Sequence, residues 1–255
     1  MPFIDTHCHL FLKEFEADAE QVVEKSVKAN VTKMVLPNVD SSTISLLLQL
    51  YKKFPENLFP AIGVHPCSVK ENFQDELLFH HKYLEVNEFV AIGEVGIDLY
   101  WDKTHFKEQV IALEIQIQWA LEHNLPIILH SRESFDEVYN IVKNYKNLRG
   151  VFHAFSGSHE QGMKVVDLGF YLGIGGVVTF KNSNLANEIM SIPLENIILE
   201  TDSPYLTPAP YRGKRNDPSN IPLIAKKLAD IYTVSIEEIE EITTHNALKL
   251  FNKIN

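Results

Sequence analysis

Short apolar runs alternate along the chain with longer segments whose apolar positions recur every three or four residues. The runs are PFIDTH (2–7), KMVLPNV (33–39), LFPAIGVH (58–65), FVAIGEVG (89–96), PIILHS (126–131), GVFHAF (150–155), FYLGIGG (170–176) and NIILETD (196–202). Between them lie amphipathic stretches such as FEADAEQVVEKSVKAN, STISLLLQLYKKF and HFKEQVIALEIQIQWALEHN. In the last of these, Val110, Leu113, Ile117 and Leu121 keep helical spacing. Continuous apolar strands separated by helices predict a parallel sheet covered on its faces. Eight strands, seven intervening segments and a helical tail fit an α/β fold, a closed (β/α)8 barrel of TIM type; a doubly wound open sheet is the alternative. IPLIAKKLADIY and SIEEIEEITTHNALKLFNKI read as closing helices, the second an extra C-terminal one. No linker, repeat or low-complexity tract interrupts the pattern, so residues 1–255 are expected to form one unit.

Composition narrows the class. A chain of 255 residues suits a barrel, which typically needs about 250. No apolar run approaches the roughly 20 residues of a membrane span. No basic segment precedes an apolar core at the N-terminus, and the two cysteines make no disulfide framework. A cytoplasmic location is the resulting expectation, and a monomer the expected state, because the fold asks for no partner. The formal net charge of -11 argues against a protein that coats duplex DNA through Lys and Arg. It leaves open an enzyme that holds a nucleic-acid end at bound divalent cations, which reverse the local field.

The ends of the predicted strands carry the chemistry. Strand 1 ends in His7-Cys8-His9, where side chains two apart share a face. Strand 3 ends in His65, strand 4 in Glu94, strand 5 in His130, strand 6 in His153 and strand 8 in Asp202. In a barrel these ends meet at one mouth, the face where barrel enzymes act. Imidazoles and carboxylates in that number suffice for two metal ions, and they suit Zn, Mn, Fe or Co better than Ca; Mg is also compatible, though it prefers oxygen ligands. His80, His81, His105, His123 and His159 fall outside the strand ends and read as surface residues. His245 reads as packing the last helix, and Cys8 as a small core residue facing away from the other two.

The stretches IDTHCHL, GVHP, IGEVGIDLYWD, PIILHSR, VFHAFSGS, LGIGGVVTFKN, ETDSPYLTPAPYRGKRNDPSNI and NALKLF are similar to those of the TatD-related deoxyribonucleases, metal-dependent hydrolases of the amidohydrolase superfamily. The resemblance runs along essentially the whole chain. It implies a (β/α)8 barrel and two divalent ions (Mg, Mn or Zn) held by His7, His9, Glu94, His130, His153 and Asp202, with Glu94 bridging. It also implies hydrolysis of phosphodiester bonds in DNA degradation or repair, commonly as a 3′ to 5′ exonuclease on single strands or ends, with RNA a possible substrate.

Roles follow from chemistry. Asp202 is expected to act as base toward the attacking water. His65 either bonds the phosphate or leaving oxygen, or supports a ligand. Glu200 shares the face of Asp202 or lies buried in the barrel. Arg132 is either a phosphate clamp or a partner of Glu133 or Asp136, and Asp98 orients Arg132 or a ligand histidine. Arg212, Lys214 and Arg215 form the densest basic patch, placed just after strand 8. Tyr100, Trp101, Tyr205 and Tyr211 either stack on bases or pack the loops. The same metal centre polarises a carbonyl as readily as a phosphoryl group, so a metallohydrolase of an amide, lactone or aminoacyl ester is the competing function. A non-catalytic metal-binding protein fits the complete set of strand-end donors poorly.

Overall fold

The computed structural model describes residues 1–254. Eight parallel strands line the interior: β1 (Phe3–Asp5), β2 (Val31–Pro37), β3 (Leu58–Ala61), β4 (Ile92–Asp98), β5 (Ile127–Arg132), β6 (Gly150–Phe152), β7 (Tyr171–Ile174) and β8 (Ile197–Leu199). They pair in chain order as β1-β2-β3 and β4-β5-β6-β7-β8. A parallel bridge between Ile62 and Ile92 joins the two groups. At the seam, the Thr6 N–H donates to the Leu199 carbonyl (3.0 Å), Asp202 to His7 (2.9 Å) and His9 to Ser203 (2.8 Å). Those bonds close the ring into a barrel.

The helices α1 (Ala19–Lys28), α2 (Ile44–Lys53), α3 (Phe73–Val86), α4 (Phe106–Glu122), α5 (Phe135–Val142), α6 (His159–Asp167), α7 (Leu185–Ile189), α8 (Ile221–Tyr232) and α9 (Ile236–Leu250) follow the amphipathic segments. Local sequence starts two of them clearly. Ser158 and Gln161 form a reciprocal capping box at α6, and the Ser235 side chain accepts from the Glu238 N–H at α9. On α4, Leu113 and Ile117 are buried against the strands, and Gln109 and Gln116 are buried with them.

The barrel interior is a packed core. Ile4, Val35, Ala61, Val90, Ile128, Val151, Tyr171 and Ile198 meet Ala247, Leu250, Phe251 and Ile254 of the C-terminal tail. The tail therefore plugs the end opposite the mouth. It is tied there by Arg149, which donates to the Leu250 carbonyl (3.2 Å), and by Lys33, which donates to that of Ile254 (2.6 Å). The other strand faces pack on the helices in a second, larger core.

Three expectations are corrected. Strand 4 runs from Ile92 to Asp98 and not from 89 to 96: Phe89–Ala91 are buried ahead of the β5 ladder, and the register shifts between Ile92 and Val95. His80 is fully buried, not on the surface. Its Nδ1–H donates to the Glu76 carbonyl (2.7 Å) and its Nε2 accepts from the Asn38 amide (2.9 Å). His245 is exposed, and its neighbour Asn246 anchors α9 by donating to the carbonyls of Leu194 and Ile197, both at 2.8 Å. Among the described residues no helix is long and apolar enough to cross a membrane.

Candidate metal centre and its surroundings

Glu94 is the hub of the mouth. It lies within the register shift of β4, and its backbone N–H donates to the Asn38 carbonyl (3.2 Å) beyond β2. Its Oε1 is 2.7 Å from His130 Nδ1, 2.9 Å from His153 Nε2 and 3.4 Å from His65 Nε2. Its Oε2 is 3.1 Å from His7 Nε2 and 3.6 Å from His9 Nε2. Burial pushes the Glu94 carboxyl up. His153, His65, His7 and the His130 contact outweigh that and hold it well below the usual carboxylate range.

His7 and His9 follow β1 in extended backbone, and their Nε2 atoms stand 3.1 Å apart. His9 Nδ1–H donates to the Pro37 carbonyl at the end of β2 (3.1 Å), which leaves the Nε2 lone pair facing Glu94. Asp202 enters from the seam in the left-handed region (φ 55°). Its Oδ1 lies 3.6 Å from His9 Nε2 and 3.9 Å from His7 Nε2.

His130 lies between two carboxylates, with Nε2 2.9 Å from Asp98 Oδ2. Asp98 thus orients this histidine and not Arg132. Burial raises the Asp98 carboxyl, but His130 and the backbone N–H groups of Trp101 and Tyr100 outweigh it and lower the carboxyl. The close approach of β4 and β5 here requires Gly96: at its φ of 147°, a Cβ would sit 2.1 Å from the His130 carbonyl oxygen. Gln109 of α4 accepts from the Asp98 N–H (2.9 Å) and Gln116 from the Val64 N–H (2.7 Å). The buried amides of α4 thereby brace the segments that carry Asp98 and His65. His65 Nδ1 accepts from the Cys67 N–H (3.0 Å), so its proton sits on Nε2, facing Glu94.

This donor set fits a divalent cation. His7 and His9 present ring nitrogens to each other and to one carboxylate, an arrangement that a shared positive charge satisfies. His7, His9 and Glu94 form one group whose ligand atoms lie within 4.8 Å of one another; His65, Glu94 and His130 form another, in which His65 faces the carboxylate with its Nε2–H as a donor. His153 stacks on His7 with ring centroids 3.8 Å apart. Cys8 is buried away from the group.

Around the mouth, Arg132 is exposed and lies over the Tyr100 ring, 3.8 Å from its centroid, and beside Trp101 at 5.3 Å. It pairs with neither Glu133 nor Asp136, which lie near Lys103 and Lys164. Arg212 covers Phe180 at 3.6 Å, and Lys214 sits 5.5 Å from the Tyr211 ring centroid. Tyr100, Trp101, Tyr205 and Tyr211 are all at least 45% exposed, and Tyr100 and Trp101 meet edge to face with ring centroids 5.0 Å apart. Arg215 is engaged elsewhere: its guanidinium grips both Asp18 oxygens (2.8 and 2.7 Å) and donates to the Glu14 carbonyl.

Glu200 is buried, the second of its two expected placements. Its Oε1 accepts from the Ala154 N–H (2.6 Å). The support from Pro37, Asn38 and Cys67 has no sequence signal, because it comes from backbone groups.

A closed β/α barrel with imidazoles and carboxylates gathered at one mouth is the architecture of metal-dependent hydrolases. The sequence profile of the TatD related DNase family matches residues 4–252, and the chain belongs to that family. The chain is 36% identical to the metal-dependent hydrolase YabD of Bacillus subtilis over 250 residues, covering 97% of this chain and 98% of that one. The crystal structure of YjjV, a TatD homologue from Escherichia coli, superposes with a TM-score of 0.92 at 31% identity, covering 98% of each chain. The hydrolase TatD family protein of Entamoeba histolytica shares the fold, with a TM-score of 0.83 at 22% identity over 98% of each chain. The protein is accordingly a hydrolase.

Proposed function

We propose that the protein is a metal-dependent deoxyribonuclease that removes nucleotides from the 3′ end of single-stranded DNA or DNA ends. The observation that carries this reading is Arg132. Its guanidinium is exposed at the mouth with no carboxylate partner among the described residues, two residues after His130, and is pre-stacked on Tyr100 beside Trp101. A planar fork of donors next to a hydrolytic centre matches a phosphate, and the adjoining rings offer faces to unpaired bases. The family description names DNases, which supports the same substrate.

His7, His9, Glu94, His130, His153 and Asp202 would hold two divalent ions, Mg, Mn or Zn, with Glu94 shared between them. Such ions, when bound, neutralise phosphate charge and acidify water. The chain's own groups do the rest. Asp202 accepts the proton of the attacking water at a carboxylate oxygen. His65, whose proton sits on Nε2, donates to a phosphate or leaving oxygen. Arg132 grips a non-bridging oxygen pair and fixes the phosphorus for in-line displacement. Arg212 and Lys214 meet the strand's backbone on the other flank, with Tyr205 beneath a base, while Arg215 holds their loop through Asp18. The whole chain works as one catalytic unit, and as a monomer.

The test is metal-stripped protein with end-labelled single-stranded DNA, with and without Mg, Mn or Zn, beside Asp202→Asn. A metal-dependent ladder shortening from the 3′ end, lost in the variant, is the expected result. Tight metal binding with no cleavage of DNA or RNA by any metal would overturn the nuclease reading and turn the search to amide and ester substrates.

A further inference from the structure

Three buried side-chain atoms among the described residues lack a hydrogen-bond partner: His7 Nδ1, His153 Nδ1 and Glu200 Oε2. They belong to one cluster. His7, His153 and Glu200 each offer a ligand-type atom within 4.8 Å of the others, and all three side chains are buried. Unpaired buried polar atoms are rare and costly, so three in one place call for a single explanation.

We infer that Glu200 is a positioning residue that locks His7 and His153 together in the Nδ1–H form, reaching His153 directly and His7 through one buried water. The inference rests on the reading of these two histidines as metal ligands through Nε2. If each uses its Nε2 lone pair on a cation, each carries its proton on Nδ1. Two N–H donors and one carboxylate oxygen then surround the same point. A water accepts from donors and donates to the carboxylate, whereas a cation at that point would face two N–H groups.

The geometry is already half built. Glu200 Oε1 accepts from the Ala154 N–H at 2.6 Å, which fixes the segment carrying His153. His153 Nδ1 lies 3.3 Å from the same oxygen, close but misaligned for a hydrogen bond. Room for the carboxylate comes from β7. A Cβ on Gly173 would lie 2.1 Å from Glu200 Oε2, so only glycine leaves that oxygen in place. The carboxylate is thus seated by one strand neighbour and aimed beneath the two stacked rings.

Glu200→Gln separates this role from bulk. The glutamine keeps an oxygen for the Ala154 N–H and His153, and puts an NH2 in the place of Oε2. The bridging water then loses its acceptor, and the hold on the His7 Nδ1 proton is weakened. Mn or Zn binding by titration calorimetry, and the number of ions per chain by elemental analysis, are the readouts, with thermal melting as a check on the fold. Metal affinity is expected to fall roughly 10- to 100-fold at unchanged ion number. In 15N-histidine NMR of the Zn form, the His7 Nδ1–H signal is expected to shift or vanish. Gly173→Ala, which displaces the same oxygen, is expected to do likewise, and it carries the test if Glu200→Gln fails to fold. Unchanged affinity in a folded variant would overturn the inference and leave the ligand reading standing. Loss of one ion with the others held as tightly as before would also overturn it, by making the cluster a metal site. A wild-type chain that binds no metal would sink the ligand reading itself, and this inference with it.

Discussion

His9 Nδ1–H donates to the Pro37 carbonyl at 3.1 Å, so one of the two β1 histidines is aimed by the backbone of the next strand. Glu94→Gln removes the carboxylate that lies within 3.6 Å of His7, His9, His65, His130 and His153 alike. We expect it to lower metal-dependent hydrolysis by roughly 10³-fold, the scale of several kcal/mol of charge stabilisation. Metal affinity should drop with it. Activity and calorimetry on the same preparation check this, and full activity in the variant would remove Glu94 from the centre.

Asp98→Asn leaves the barrel intact but weakens the grip on His130 Nε2 (2.9 Å). A loss of roughly 10- to 100-fold in metal affinity or rate is expected. Titration with Mn followed by electron paramagnetic resonance reads it directly.

Arg132 and Arg215 should part company under mutation. Arg132→Ala is expected to raise KM for single-stranded DNA about 10-fold, and Trp101→Ala similarly, as base stacking is worth about 1–3 kcal/mol. Arg215→Ala should raise KM less than either, since it acts only through the loop of Arg212 and Lys214, and lower the melting temperature slightly, because its Asp18 pair is partly exposed and such pairs are worth up to about 1 kcal/mol. Steady-state kinetics with a labelled oligonucleotide separates the two.

Asp5 gives a pH signature away from the substrate. Burial pushes its carboxyl from 3.8 up to about 8. The folded state therefore keeps a proton that the unfolded chain releases, and stability falls as pH rises between about 4 and 8. Asp5→Asn mimics the protonated acid: its oxygen accepts from the His7 and Thr201 N–H groups, and its NH2 donates to Thr201 Oγ1. Melting temperatures of the variant should depend less on pH and match or exceed wild type at pH 8.

Phe251→Ala opens the bottom of the barrel. The ring is fully buried among the inward strand residues, so a cost of about 3–5 kcal/mol is expected. Urea denaturation checks it.

What was legible in the sequence follows from physics that is local. Strands β5 and β8 announce themselves because they open on fully buried apolar residues, and the histidine and acid that follow stand out against that run. The start of β4 was obscured because Phe89–Ala91 are as apolar as the strand they precede. The places of His80 and His245 are not legible because helical position alone does not say which face is covered: His80 turns inward to Asn38 and Glu76, while the inward place in THNAL falls to Asn246. Arg215 looked like its neighbours Arg212 and Lys214, since the pairing with Asp18 spans 197 positions. The orienting partners of His9 and His65 are a carbonyl and an N–H, which every residue but proline's nitrogen possesses, so no side-chain motif could reveal them.

The seam between β8 and β1 brings His7 and His9 beside Asp202 through bonds from Thr6, His9 and Asp202. The first and last donors of the centre are thus almost two hundred residues apart in the order of synthesis. During synthesis the histidine pair waits for β8, and the donor set comes together only when that strand is laid against the first. A product that stops short of β8 carries the histidine pair without Asp202 beside it.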